Sequence, residues 1–247
     1  MDSSKVLVLV HAFPLGSRMW TEQRSAFRGW TVLAPSLPGF GGTGELPSDE
    51  FSLAGYARWV HDLLAALDVE ESLVVLGHSF GGGVAARFAH DHRAQVRSLV
   101  LVNSIGGSSW RKGQVLRSIT ERPLWDWGLH FPGDVFPLRQ ATRVLPVVAE
   151  DLLPNLMRNP RAIVRVANLA RRADLRAELE ALRDSGLPVT IIWAQRDGII
   201  PREMFARAGE LGLLGFAAPE EFGGVGTPDY RFNQILIEQF MEADCGG

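Results

Sequence analysis

The sequence predicts an α/β protein built on a parallel sheet, and three observations carry that prediction. Short apolar runs without alternation recur along the chain: KVLVLV (5–10), WTVLAP (30–35), SLVVLG (72–77), VRSLVLVNS (96–104) and LPVTIIWA (187–194). Such runs fit strands covered on both faces, as parallel strands are. Helical patterns lie between them, at LAGYARWVHDLLAALD (53–68) and GGGVAARFAHDH (81–92), so strand and helix alternate. The chain has 247 residues, of which 46% are hydrophobic, enough to bury a large core.

Residues 105 to about 184 break the rhythm. They hold Trp110, Trp125, Trp127 and several prolines that interrupt helices. NPRAIVRVANLARRADLRAELEALRDSG follows, in which Pro160 starts a helix and Gly186 ends one. This stretch reads as a helical lid inserted between two strands. After Pro201 the texture changes again: REMFARAGELGLLGF suggests a helix closed at Gly212 or Gly215, PEEFGGVGTPD a turn-rich loop, and YRFNQILIEQFMEA another amphipathic helix. That tail holds no strand-like run, so the sheet is expected to end at 187–194.

Composition narrows the partners. A net charge of −3 leaves no basic footprint, so nucleic acid is not an expected ligand and small molecules are. No run approaches the roughly 18 apolar residues of a membrane span, and MDSSKVLVLVHAF reads as a core strand, not a signal peptide. Cys245 is the single cysteine, which excludes a disulfide framework and a thiolate metal cluster and points to a reducing, cytoplasmic setting. Oligomeric state is not specified by any of these features.

The chemistry-bearing motif is Gly77-His78-Ser79-Phe80-Gly81 within LVVLGHSFGGGVAARF. It is a G-x-S-x-G set directly between a strand and a helix, where a sharp turn lifts the serine oxygen into the open and glycine tolerates the crowding on either side. The N–H groups and dipole of the next helix would face an oxyanion formed at Ser79. A glycine-rich turn with a serine cap is the plain alternative; the strand-turn-helix context favours the nucleophile elbow.

On these residues the chain resembles the α/β-hydrolase family, from about residue 5 to residue 201. HAFPLGSRMW (11–20) looks like the family's H-G-x-P loop, with Ala12 where the family usually has glycine. That match implies Phe13 and Phe80 as backbone N–H donors of an oxyanion hole. LPGFGGTGE (37–45) resembles the loop after the next strand, and Asp197, in WAQRDGIIPREMF, falls where the family carries its triad acid. Each has a plainer role beside it. His11 reads more readily as a residue that ties down its loop, Asp197-Gly198 is a common turn dipeptide, and His78 can simply be packed. Gly39-Phe40-Gly41-Gly42-Thr43-Gly44 matches G-x-G-x-x-G literally, but ELPSDEF follows where a dinucleotide site needs a helix to start. No cofactor or metal is expected.

A serine nucleophile needs an imidazole to take its proton and an acid to orient that imidazole. In the family the histidine lies beyond the acid. The six histidines here are His11, His61, His78, His90, His92 and His130, and none follows Asp197. ELGLLGFAAPEEFGGVGTPDYRFNQILIEQFMEADCGG (210–247) instead resembles the N-terminal helical region of acyl-CoA dehydrogenases, through its G-L-L-G turn and P-E-E-F-G-G. The resemblances imply a hybrid: a hydrolase core over 1–201 carrying the lid insertion, and a dehydrogenase-like helical tail over 202–247 in place of the last strand and the histidine loop. A flavin is not implied, because the portion that cradles it is not in this sequence. Serine at the elbow argues against haloalkane dehalogenases and epoxide hydrolases, which place aspartate there. Carbon–carbon bond hydrolases and haloperoxidase-like relatives stay open, and two main readings remain. One is a serine hydrolase of ester or related acyl bonds in a small apolar substrate, impaired by the missing histidine. The other is a catalytically silent hybrid, either a binding module or a gene-fusion product.

Overall fold

The computed structural model describes residues 5–69, 72–106 and 148–192. Five parallel strands form one sheet in the order β2-β1-β3-β4-β5, with β1 at Val6–Val10, β2 at Thr31–Leu33, β3 at Leu73–His78, β4 at Val96–Val102 and β5 at Val189–Ile192. Every side chain of VLVLV in β1 is buried, which explains its lack of alternation. Val6, Val8 and Val10 face one core with Leu73, Val75, Leu99 and Leu101, whereas Leu7 and Leu9 face another with Trp20, Phe27, Val74 and Leu76.

Helices α1 (Thr21–Arg24), α2 (Leu53–Ala66) and α3 (Phe80–Asp91) connect the first four strands. Ser52 caps α2, its hydroxyl accepting the Gly55 N–H at 3.0 Å. Tyr56, Val60 and Leu64 recur at helical spacing on the buried face of α2, packed with Phe80, Val84 and Phe88 of α3 in the first core. β2 is shorter than the expected 30–35. It pairs only Thr31, Val32 and Leu33 with β1, because the chain then turns away at Pro35 toward a bond between Leu37 and His11.

The stretch expected as one insertion divides. A π-helical turn at Val148–Leu152 leads into α4 (Leu153–Arg158), and α5 runs Pro160–Arg172 with Pro160 in its first turn. The chain breaks at Ala173, and α6 follows at Arg176–Asp184. The break seats Leu175 in the core: its N–H donates to the Gly106 carbonyl at 2.9 Å and its side chain is buried. Leu182 of α6 joins the same core, so α6 lies in the helical layer over the sheet together with α2 and α3. The stretch expected as a lid, 105 to about 184, thus includes α6, which packs in the core layer. Gly186, at φ +68°, turns the chain into β5, which pairs with β4 from Leu99↔Val189 to Val102↔Ile192. Residues 107–147, with Trp110, Trp125, Trp127 and His130 of the expected lid, lie outside the described residues, as do Asp197 and the expected tail over 202–247.

Candidate active site

The strand order reverses between β1 and β3: after β1 the chain passes to β2 on one side, and after β2 it returns to β3 on the other. Open parallel sheets place ligands beyond the strand carboxyl ends at such a switch point. The loops that leave there are Ala12–Gly16 after β1 and the Ser79 turn after β3.

Ser79 occupies the N-cap of α3 with φ 53° and ψ −116°, a conformation costly for a residue with a side chain. The surrounding backbone over-determines it. Its N–H donates to the Val102 carbonyl at 3.0 Å, and its carbonyl accepts from Gly82 (3.0 Å), Gly83 (3.3 Å) and Ile105 (3.2 Å). The turn is thereby clamped to α3 and to the loop after β4. Two flanking glycines make the geometry possible. A Cβ at Gly77 would sit 2.3 Å from the Gly81 carbonyl oxygen, and a Cβ at Gly81 would sit 2.4 Å from the carbonyl oxygens of both Val10 and His11. The second contact presses the first turn of α3 against the end of β1 and brings the Ala12–Gly16 loop beside Ser79.

No hydrogen bond among the described residues uses the N–H of Phe13, the N–H of Phe80 or the hydroxyl of Ser79. Phe80 opens α3, and the first turn carries no acidic residue to compensate the helix dipole. Its ring is buried edge-on to Tyr56, with centroids 5.2 Å apart at 89°, which fixes the backbone N–H of Phe80 in place. Phe13 packs edge-on to Phe40 with centroids 6.1 Å apart. The arrangement can hold a developing negative charge next to the half-buried hydroxyl of Ser79.

The described histidines do not reach Ser79 by a hydrogen bond. His11 is fully buried; its Nδ1 bonds the Ala12 carbonyl at 3.0 Å and its Nε2 accepts the Leu37 N–H at 2.8 Å. Both nitrogens are thus spent on backbone, which assigns the proton to Nδ1. Burial lowers its pKa to about 4 and keeps the ring neutral. His78 is partly buried and is likewise lowered by desolvation to about 4. His61 and His92 stack on one another with centroids 4.0 Å apart, and His90 pairs with Asp91. The Gly39–Gly44 stretch is a turn held by the Thr43 hydroxyl on the carbonyls of Leu37 and Phe40, and the next helix starts only at Leu53.

Two polar residues that the sequence reading passed over stand behind these loops. Asp151 and Asn155 are each 3% exposed. Asp151 Oδ2 accepts the Gly16 N–H at 3.0 Å, and burial raises its carboxyl pKa against the pull of that bond and of Arg18. Asn155 donates from Nδ2 to the Pro14 carbonyl at 3.0 Å and accepts the Gly41 N–H on Oδ1 at 2.9 Å. Their available signal was a polar pair four residues apart inside the apolar DLLPNLM.

A family model for the alpha/beta hydrolase fold matches residues 5–142, more than half of the chain. The chain belongs to the α/β hydrolase fold family. The match over residues 5–142 accords with the sheet order and with the geometry of the Ser79 turn. A second family model, the acyl-CoA dehydrogenase N-terminal domain, matches residues 172–247. That match starts upstream of the crossover expected near residue 201 and includes α6 and β5, which pack on the hydrolase sheet.

An uncharacterised protein of Mycobacterium tuberculosis is 29% identical, over 81% of this chain and 63% of its own length, so the chain spans a little under two thirds of that relative. The 2-succinyl-6-hydroxy-2,4-cyclohexadiene-1-carboxylate synthase of Klebsiella pneumoniae is 32% identical over 77% of each chain. Among solved structures, a thermophilic esterase from Thermogutta terrifontis superposes with a TM-score of 0.65 at 25% identity, over 85% of this chain and 79% of the esterase. The homologues of this α/β hydrolase thus include esterases and lipases. No helix among the described residues is long and apolar enough to cross a membrane.

Proposed function

We propose that this α/β hydrolase is a serine acyl hydrolase framework. Ser79 is the nucleophile, the N–H groups of Phe13 and Phe80 form the oxyanion hole, and Asp197 is the acid. The observation that carries the reading is the Ser79 backbone, held at φ 53° by four hydrogen bonds at the mouth of a helix. A turn of that cost persists where a side chain must be presented. Trp110, Trp125 and Trp127 of the expected lid favour a small apolar substrate; in this reading it carries an ester or related acyl bond, and the protein works in the cytoplasm without nucleic acid, membrane or cofactor.

Turnover is impaired in this reading. No histidine follows Asp197 in the 247 residues, and the segment after it matches a dehydrogenase domain in place of the strand and loop that bring the family's histidine. Loss of a triad member leaves only about 10³- to 10⁴-fold catalysis over water, supplied by the oxyanion hole and binding. A catalytically silent binding module is the second reading, favoured by the same absence.

Labelling with a fluorophosphonate, read by intact mass, separates the two. Slow stoichiometric labelling that disappears in Ser79→Ala supports the impaired hydrolase. No labelling at all supports the silent module, and equal labelling of Ser79→Ala removes Ser79 from its role.

A further inference from the structure

A loop that carries an oxyanion donor must hold one backbone N–H in place to a fraction of an ångström, yet irregular backbone has few bonds of its own. Within Ala12–Gly16 the internal bond is Leu15 N–H to the Ala12 carbonyl at 3.0 Å. Side chains supply the others: His11 and Met19 hold Ala12 at the start of the loop, and two more come from far along the chain. Asn155 takes the Pro14 carbonyl, one residue past Phe13, and Asp151 takes the Gly16 N–H, three residues past it. The two lie four apart, Asp151 on the turn leading into α4 and Asn155 in α4 itself, 135 and 141 residues along the chain from Gly16 and Pro14. Asn155 uses its other end on Gly41, so one carboxamide joins the loop after β1 to the loop after β2. The donor and the acceptor in these bonds fix which end of the carboxamide is which, and so fix its orientation.

Simple docking of 148–158 onto the core would be served as well by apolar side chains, without the cost of burying a carboxylate and an amide. These polar groups are instead spent on the main chain immediately after the candidate oxyanion donor. We propose that Asp151 and Asn155 are positioning residues that clamp the Ala12–Gly16 loop, so that the Phe13 N–H stays aimed at the oxygen of a tetrahedral adduct on Ser79. The inference rests on the reading of Ser79 and Phe13 given above.

The test uses the full chain, its Ser79→Ala control, and Asn155→Asp, Asn155→Leu and Asp151→Ala. Asn155→Asp keeps an acceptor for the Gly41 N–H but sets a carboxylate oxygen against the Pro14 carbonyl. Two quantities are read: amide hydrogen exchange of peptides covering 11–20 and 37–45, and affinity for phenylboronic acid, whose boron takes the Ser79 oxygen as the serine proton passes to water. In Asn155→Asp and Asp151→Ala, exchange should quicken in 11–20 and stay unchanged in 37–45, while Asn155→Leu quickens both. Boronate affinity should fall about tenfold, below the ~10²- to 10³-fold cost of deleting an oxyanion donor outright. Unchanged exchange in 11–20 overturns the clamp. Faster exchange with wild-type boronate affinity overturns its positioning role and leaves a packing contact. Boronate binding that is equal in Ser79→Ala, or absent from the unmutated chain, defeats the Ser79 reading itself, a failure distinct from either of these.

Discussion

His11 and Leu37 are joined across 26 residues by a 2.8 Å hydrogen bond in which the imidazole Nε2 accepts the backbone N–H. With the Nδ1 bond to Ala12, this ties the loop after β1 to the loop after β2. Replacing His11 by alanine strands the buried Leu37 N–H and opens a void beside Phe40, whose ring meets the imidazole edge-on at 5.7 Å. The expected loss is about 2–4 kcal/mol, read as a lower urea midpoint at unchanged slope.

Acid should weaken the fold well before most carboxylates titrate. His11 has an ordinary pKa of 6.5 that burial lowers to about 4, so between those values the unfolded chain binds a proton that the folded chain refuses. Its contribution is complete above pH 6.5 and is lost as the pH falls toward 4, amounting to roughly 2 kcal/mol by pH 5. His78 acts in the same sense, but less strongly because the residue is partly exposed. Asp151, raised by burial, opposes the loss near the acid end. Urea midpoints at pH 7 and pH 5 check this, and a flat profile in that window would contradict the neutral, buried His11.

The strain at Ser79 gives a prediction that separates two small substitutions. Glycine accepts φ 53° and ψ −116° freely, whereas alanine inherits the penalty. Ser79→Gly should therefore be more stable than Ser79→Ala by about 1 kcal/mol, after part of the relief is lost to the entropy of the unfolded chain. Equal melting temperatures would mean that the turn is not strained.

Glycines of this chain should differ sharply in their tolerance of a methyl group. At Gly81 the added carbon meets two carbonyl oxygens at 2.4 Å, and the expected cost is about 3 kcal/mol or more. At Gly44 nothing lies within 4 Å and φ is ordinary, so Gly44→Ala should be neutral or stabilising by up to about 1 kcal/mol. Chemical denaturation of the two variants side by side checks the contrast.

The parts of this fold that were legible are those with local causes. VLVLV is apolar throughout because both faces of β1 are covered, and the first glycine of G-x-S-x-G marks its turn because the crowding at Gly77 comes from Gly81, four residues on. Less was legible where the cause is distant. The break between α5 and α6 is set by Leu175 bonding Gly106, and no local breaker announces it beyond the ordinary Ala173-Asp174. The roles of Asp151 and Asn155 were hidden for the same reason, since their partners at Pro14, Gly16 and Gly41 are more than a hundred residues away. The short β2 reflects a competition that the run WTVLAP does not record, between extending the ladder and delivering Leu37 to His11.

The most direct test of the central claim, an elbow serine without its imidazole, is hydrolysis of p-nitrophenyl acetate by the unmutated chain and by Ser79→Ala, each with and without added imidazole. Weak turnover that depends on Ser79 and rises several-fold with free imidazole, after subtraction of the Ser79→Ala rate, is the predicted result. Brisk turnover without imidazole that vanishes in Ser79→Ala would place a general base within the chain and contradict the account.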